Sequence, residues 1–226
     1  MAPVEDPAAR RVAYADVPLR VEDLAPSPLA QFDRWYSAAV DARIAEPNAM
    51  VLATGGPDGP SARTVLLKGA DARGFSLYTN RTSRKARAMA AEPRVGLVFP
   101  WVGMQRQVAV VGDVVELSRE ESWAYFSSRP YGSRIGAWAS AQSAPAASAD
   151  EVRGRWAELT ARWPDTGCAD DVPLPEHWGG YLVRAREVEF WQGRPSRLHD
   201  RLVFVAVREH PALDDPGGWR VERRQP

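Results

Sequence analysis

Lysine is almost missing from this chain. Twenty-nine residues are basic, yet lysine stands only at Lys68 and Lys85, and every other such position is arginine. An ammonium is a compact point charge that a planar guanidinium replaces poorly. A single lysine usually sits on a solvated face, but both of these lie in segments with the make-up of anion-binding elements. Cysteine occurs once, at Cys168, which excludes an internal disulfide framework. With that one thiol and three histidines, His177, His199 and His210, a zinc site of the usual ligand types is not expected, and no metal is assigned. No apolar run approaches the ~20 residues that cross a bilayer. Met1–Asp6 shows no basic region leading into an apolar core, so the expectation is a cytoplasmic protein with no membrane partner. Formal net charge is zero, which argues against non-specific nucleic-acid binding. Neither Gly-x-Gly-x-x-Gly nor a Walker loop is present, so the common dinucleotide and P-loop sites are missing too.

What is present reads as one soluble domain. Residues 1–27 are rich in Pro, Ala and charge and predict a mobile arm; residues 28–226 predict a single folded body. Ser27 and Pro28 offer a helix start, and Phe32, Trp35, Tyr36, Ala39, Val40 and Ile44 recur at helical spacing over 28–45. Short strands follow at 49–54, 62–68, 75–79, 95–99 and 105–117, with 69–74 as a turn. Helices are expected after Thr82 or Ser83, after Ser118 and after Ser148, the last two with capping-box spacing to Glu121 and Glu151. Ser133 falls in a loop after Pro130. Strands return near 179–191, 198–208 and 219–223. This rhythm lacks βαβ units and predicts a mainly β fold: a closed antiparallel barrel with peripheral helices. Nine tryptophans supply core and interface anchors, with one or two available to lie beside a flat ligand.

Three constellations bear on chemistry. Ser83-Arg84-Lys85 opens a helix, where free N–H groups and the dipole favour an anion, and Arg63 on a neighbouring strand adds a third cation. Tyr125 and Arg129 are four apart on one helix face, with Ser133 beyond, and Lys68 adds a compact charge for a second phosphate. An aromatic in the core with an arginine lying past it would give the same spacing. Arg197, His199 and Arg201 alternate, so on a strand all three face one side, against an anionic or electron-rich ligand.

The order Arg63-x-Val-Leu-Leu-Lys68, Tyr78-Thr79-Asn80, Ser83-Arg84-Lys85, Arg106-Gln107-Val108, Tyr125-Phe-x-x-Arg129-Pro130, Ile135-Gly-Ala-Trp138, Gln142-Ser143, Glu189-Phe-Trp191-Gln-Gly and Arg197-Leu-His-Asp-Arg201 resembles the pyridoxine/pyridoxamine 5′-phosphate oxidase family. The resemblance implies a split β-barrel homodimer holding FMN in clefts at the subunit interface. It places the FMN phosphate on Arg63, Arg84 and Lys85, with Tyr78 and Thr79 nearby and the segment Thr64, Val65, Leu66, Leu67 and Lys68 alongside. Gln107, Gln142, Ser143, Trp191 and Arg201 would contact the rest of the flavin, some from the opposite subunit. Lys68, Tyr125, Arg129 and Ser133 would hold the substrate phosphate. Arg197 and His199 would be the catalytic pair over the pyridine ring, with Leu198 between them. Arg11 and Tyr14 resemble an Arg-x-x-Tyr in an arm that closes over the site.

The implied reaction oxidises pyridoxamine or pyridoxine 5′-phosphate to pyridoxal 5′-phosphate with O2 as acceptor and H2O2 as product. A related FMN oxidase with a phenazine-type substrate, or a non-catalytic flavin- or vitamer-binding module, would share much of the same pattern. Two departures stand out: Arg224 occupies a position where the family usually has leucine, and Glu46 lies where an acidic residue is often found near the substrate.

Overall fold

The computed structural model describes residues 6–9 and 12–226. Arg11 lies outside the described residues. Ser27 caps α1 (Pro28–Asp41), its hydroxyl accepting from the Ala30 N–H at 3.3 Å. The helix ends short of the expected residue 45, with Arg43 in the left-handed region at φ 53°. The chain then forms β1 (Ala49–Thr54), β2 (Ser61–Leu66), β3 (Gly69–Asp71), β4 (Gly74–Asn80), α2 (Arg84–Ala91), β5 (Arg94–Trp101) and β6 (Arg106–Glu116). After these come α3 (Arg119–Ser127), α4 (Tyr131–Ala139), α5 (Ala149–Arg162), β7 (Trp178–Gln192), β8 (Asp200–Ala206) and β9 (Trp219–Arg224). Among the described residues the nine strands form one antiparallel sheet, the split barrel that the strand rhythm and the motifs led us to expect. No helix in that set is long and apolar enough to cross a membrane.

β7 organises the sheet. One edge pairs with β6 from Tyr181 to Gln192. The other edge is shared: β4 takes Trp178–Val183 and β8 takes Glu187–Gln192. The remaining order is β2-β1-β5-β6 on one side, β3 beyond β4, and β9 beyond β8. A register shift at Val111/Gly112 bends the β6–β7 pair. A Cβ at Gly112 would sit 2.5 Å from the Arg184 carbonyl oxygen, so only glycine allows the two backbones to meet there.

Alternation sends Val108, Val110, Val188, Phe190, Leu202 and Phe204 into the main core. Phe32 of α1 meets Phe75 and Phe99 edge-on at 5.1 and 5.0 Å, and Trp35 meets Phe190 at 5.3 Å. Fully burying such a side chain is worth about 1.5–3 kcal/mol. Leu19, from the stretch before α1, is buried in the same core. A second cluster of Phe126, Ile135, Val172, Leu174 and Trp178 joins α3 and α4 to the start of β7.

Two local readings of the sequence need correction. The residues after Pro130 are not a loop but α4, so Ser133 lies in its first turn. Gly132 and Gly136 hid this helix, since glycine weakens helix propensity. The Trp156 ring of α5 packs on them: a Cβ at Gly132 would sit a tight 3.3 Å from it, and one at Gly136 would be in ordinary contact at 3.6 Å. The stretch 69–74 contains the short strand β3 as well as a turn.

Gly112→Ala should cost about 1–3 kcal/mol by forcing those backbones apart. A urea midpoint equal to wild type would show that the close approach is not rigid.

Candidate active site

Ser83 caps α2 through the Ala86 N–H, and its helix carries Lys85 inward, 8% exposed. The Lys85 ammonium donates to Thr79 Oγ1 and Gln142 Oε1, both at 3.1 Å, and lies 3.5 Å from Ser83 Oγ. The Thr79 hydroxyl also donates to Gln142 Oε1, at 2.8 Å. Burial, then the nearby Arg63 guanidinium, bring the Lys85 pKa down to about 8. Arg63 donates from Nη1 to the Leu52 carbonyl and Thr54 Oγ1, each at 3.0 Å, and from Nη2 to Ser61 Oγ at 2.5 Å. Burial and the exposed Arg84 lower its pKa. Neither Lys85 nor Arg63 has a carboxylate partner among the described residues, so positive charge collects here with only neutral oxygens to receive it.

The second group stands on the other wall. The rings of Tyr78 and Tyr125 stack at 4.2 Å, and Tyr78 stacks on Trp178 at 5.5 Å. The Arg129 guanidinium lies 4.9 Å over Trp178, and Lys68 Nζ lies 5.9 Å from the Tyr125 centroid. Burial lowers the Arg129 pKa and raises that of Tyr78. Arg129 Nη1 is buried without a hydrogen-bond acceptor, a costly arrangement that an incoming anion would relieve.

Lys85, Thr79 and Gln142 of the first group and all of the second line one cleft of about 600 Å³, whereas Arg63 and Arg84 are not part of its lining. Lys68, Tyr125, Arg129 and Ser133 border it beside Thr79, Lys85 and Gln142, with Thr64, Val65, Leu66 and Tyr78 completing the wall. Leu67 turns the other way: its side chain joins the main core and its N–H donates to the Asn48 carbonyl. Ser143, at φ 72°, is exposed beyond the rim.

The other expected residues lie elsewhere. Gln107, Trp191 and Arg201 face one another in register across β6, β7 and β8, which puts them in a single row on one face. Arg197 and His199 are not strand residues alternating with Arg201. They occupy a tight turn before β8, where Pro195 cannot donate a backbone hydrogen bond and Ser196 and Arg197 adopt φ of 56° and 62°. His199 Nδ1 accepts the Arg194 N–H at 3.0 Å, so the neutral ring carries its proton on Nε2. Its ring lies 4.6 Å from Trp191 and 5.5 Å from Tyr14. Tyr14, Arg194, Arg197 and His199 line a separate cavity of about 670 Å³. Leu198 is 70% exposed, and Glu46 lines neither cavity.

The separation is set by β7. Trp178 borders the cleft and Trp191 stands beside the histidine turn, at opposite ends of the strand. Thirteen steps of extended chain span roughly 40 Å. No single mononucleotide reaches both ends within one chain.

Several contributing residues carry no signal of their own in the sequence. Thr54 and Ser61 seat Arg63, which only the register of β1 on β2 reveals. Asn80 donates to the Ser140 carbonyl at 3.4 Å, tying the segment that carries Gln142 to the end of β4. Trp178 was one tryptophan among nine.

This donor set suits a phosphate monoester, and the stacked rings together with the Gln107–Trp191–Arg201 row suit a flat heteroaromatic. Comparison with known proteins agrees with that chemistry. Residues 36–162 match the family model for pyridoxamine 5′-phosphate oxidase. Residues 178–226 match the pyridoxine 5′-phosphate oxidase C-terminal dimerisation region. A pyridoxine/pyridoxamine 5′-phosphate oxidase of Kineococcus radiotolerans is 64% identical over 99% of this chain and 100% of its own length. The Thermobifida fusca enzyme of that name is 49% identical over 98% of each. Among solved structures, PhzG from Burkholderia lata, determined with tetrahydrophenazine-1-carboxylic acid, has a TM-score of 0.81 at 27% identity, covering 95% of this chain and all of that one. An FMN-binding protein of Nostoc punctiforme described as pyridoxamine 5′-phosphate oxidase-related shares the fold at 16% identity, with a TM-score of 0.68 over 90% of this chain and all of that one. The chain belongs to the pyridoxamine 5′-phosphate oxidase family.

Proposed function

We propose that the protein is an FMN-dependent oxidase converting pyridoxamine or pyridoxine 5′-phosphate to pyridoxal 5′-phosphate, with O2 as acceptor and H2O2 as product. The carrying observation is one cleft whose lining holds Lys85 together with Lys68 and Arg129 and no carboxylate, with Arg63 near Lys85 and Arg84 near Arg63 just outside that lining. Two phosphate seats are what a phosphorylated cofactor and a phosphorylated substrate need.

In this reading Arg63, Arg84 and Lys85 hold the FMN phosphate, with Tyr78, Thr79 and Gln142 around it. Lys68, Tyr125, Arg129 and Ser133 hold the substrate phosphate, the buried Arg129 N–H finding its acceptor there. When bound, FMN would supply the two-electron chemistry that couples oxidation of the substrate to reduction of O2. The chain's own task is placement: fixing the substrate carbon that loses hydride against that acceptor. His199 presents an Nε2–H and Arg197 a guanidinium toward the pyridine ring. Because those residues and the Gln107–Trp191–Arg201 row sit some 40 Å of β7 away from the cleft, they serve the cleft of a second copy. The protein therefore works as a homodimer, with Tyr14 from the arm beside the histidine turn.

A second reading rests on the likeness to PhzG, whose bound compound is a carboxylic acid. The second cation group favours the phosphorylated vitamer over such a substrate. Aerobic incubation of the yellow protein with pyridoxine 5′-phosphate should produce the aldehyde absorbance; bound FMN without turnover would reject the vitamer oxidase and leave the phenazine-type and binding-module readings.

Arg197→Ala and His199→Ala should each lower turnover by far more than they weaken FMN binding; equal loss of flavin would remove both from the substrate side. Lys85→Ala should weaken FMN binding by about 1.5–3 kcal/mol, one charge-assisted contact, and an unchanged dissociation constant would take Lys85 out of the phosphate seat.

Lys85 also sets a pH dependence. Its folded, ligand-free pKa is about 8, depressed by burial and Arg63, and phosphate contact favours its charged form. Below that pH the proton is already bound and FMN affinity should be flat. Above it, binding takes up a proton, and affinity should fall by up to about tenfold per unit. Fluorescence titration of the apoprotein on both sides of pH 8 reads this. The drop should vanish in Lys85→Arg, whose guanidinium stays charged; a profile without a break in the wild type would contradict the assignment.

A further inference from the structure

The exposed face of β7, β8 and β9 carries two ion pairs that cross strands diagonally. Arg201 donates from Nε to Glu189 Oε1 at 3.1 Å and from Nη2 to Glu189 Oε2 at 2.7 Å, using both carboxylate oxygens. Its third nitrogen, Nη1, donates to the Gln225 carbonyl at 3.0 Å. The Glu189 side chain is 12% exposed. Arg224, opposite Arg201 in register, pairs with Glu187 at 2.9 Å. Val203, on the same face as Glu189 by register, is fully buried although it belongs to neither core cluster. The long side chains of the two pairs roof it over.

The register makes the Arg201 contact informative. Glu189 stands opposite Val203, whereas Arg201 stands opposite Trp191 and thus in line with Gln107. The carboxylate therefore draws the guanidinium back along β8 and fixes its plane. Two arginines side by side on adjacent strands would otherwise repel. Glu187 and Glu189 take one each, and the face is left balanced in charge.

We propose that Glu189 is a positioning residue that sets the orientation and effective charge of Arg201 where it meets the flavin. The proposal rests on the reading that Arg201 contacts bound FMN. With Glu189 in place, Arg201 offers directed N–H donors whose charge is compensated. Without the carboxylate the same guanidinium is a free cation beside the ring, and it favours the negative charge that reduction brings.

The test is the midpoint potential of bound FMN, read spectroelectrochemically in the holoprotein, together with FMN affinity. Glu189→Gln, nearly the same shape, should move the potential positive and weaken FMN retention. Glu189→Asp, which keeps the charge, should lie nearer wild type. Glu187→Gln, which removes an equal charge from the same face but from Arg224, should shift the potential less. Glu189→Gln placed on Arg201→Ala should add no further shift. A shift that persists in the Arg201→Ala background, or no shift from Glu189→Gln while Arg201→Ala itself shifts the potential, would overturn the proposal alone. If Arg201→Ala changed neither potential nor affinity, the flavin contact at Arg201 would fail and the proposal with it. Should Glu189→Gln not fold, the Asp variant and the Arg201 background decide the matter in the same way.

Discussion

The length of β7 constrains everything else. A single fifteen-residue strand carries β4 on one half of an edge and β8 on the other half of that edge, with β6 along its opposite side. The cleft grows from the β4 end, because β4 delivers Tyr78 and Thr79 and leads directly into the cap of α2. The histidine turn and the Gln107–Trp191–Arg201 row grow from the β8 end. One ladder of hydrogen bonds thus holds two sets of polar groups apart, each lining its own cavity. The matched dimerisation region, 178–226, spans β7 itself and everything on its β8 side.

The cleft is organised around positive charge with no counter-charge. Lys85 is buried against a threonine hydroxyl and a glutamine carbonyl, and Arg129 leaves an N–H unmet. A purely structural role would have supplied carboxylates, as Glu187 does for Arg224. Desolvated cations are costly alone and favourable once an anion arrives, so part of the binding energy of a phosphate here is relief of a cost already present in the ligand-free chain.

Much of this was legible from the residues. Ser27, Ser83, Ser118 and Ser148 all cap helices, with the full capping box at Ser118. The strand at Ala49–Thr54 has the expected bounds, since a short apolar run hard against Gly55-Gly-Pro leaves little choice. What escaped was tertiary. The glycines of α4 read as breakers because the Trp156 ring that packs on them comes twenty or more residues later. Arg197 and His199 looked like strand positions because alternation was visible, while two successive positive φ angles at ordinary residues leave no compositional trace. The seats of Arg63 and the partner of Arg201 depend on strand register, which spacing alone does not supply. Arg224, a departure from the family's usual leucine, finds its reason in Glu187.

Subunit complementation tests the divided site most directly. One variant would carry Lys68→Ala and Arg129→Ala, the other Arg197→Ala and His199→Ala, each inactive by itself. If cleft and histidine turn come from different chains, every mixed dimer regains one intact site, and random reassociation should restore roughly a quarter of the wild-type rate. If both halves belong to the same chain, each mixed dimer holds only damaged sites. The mixture would then stay inactive, which would contradict the account.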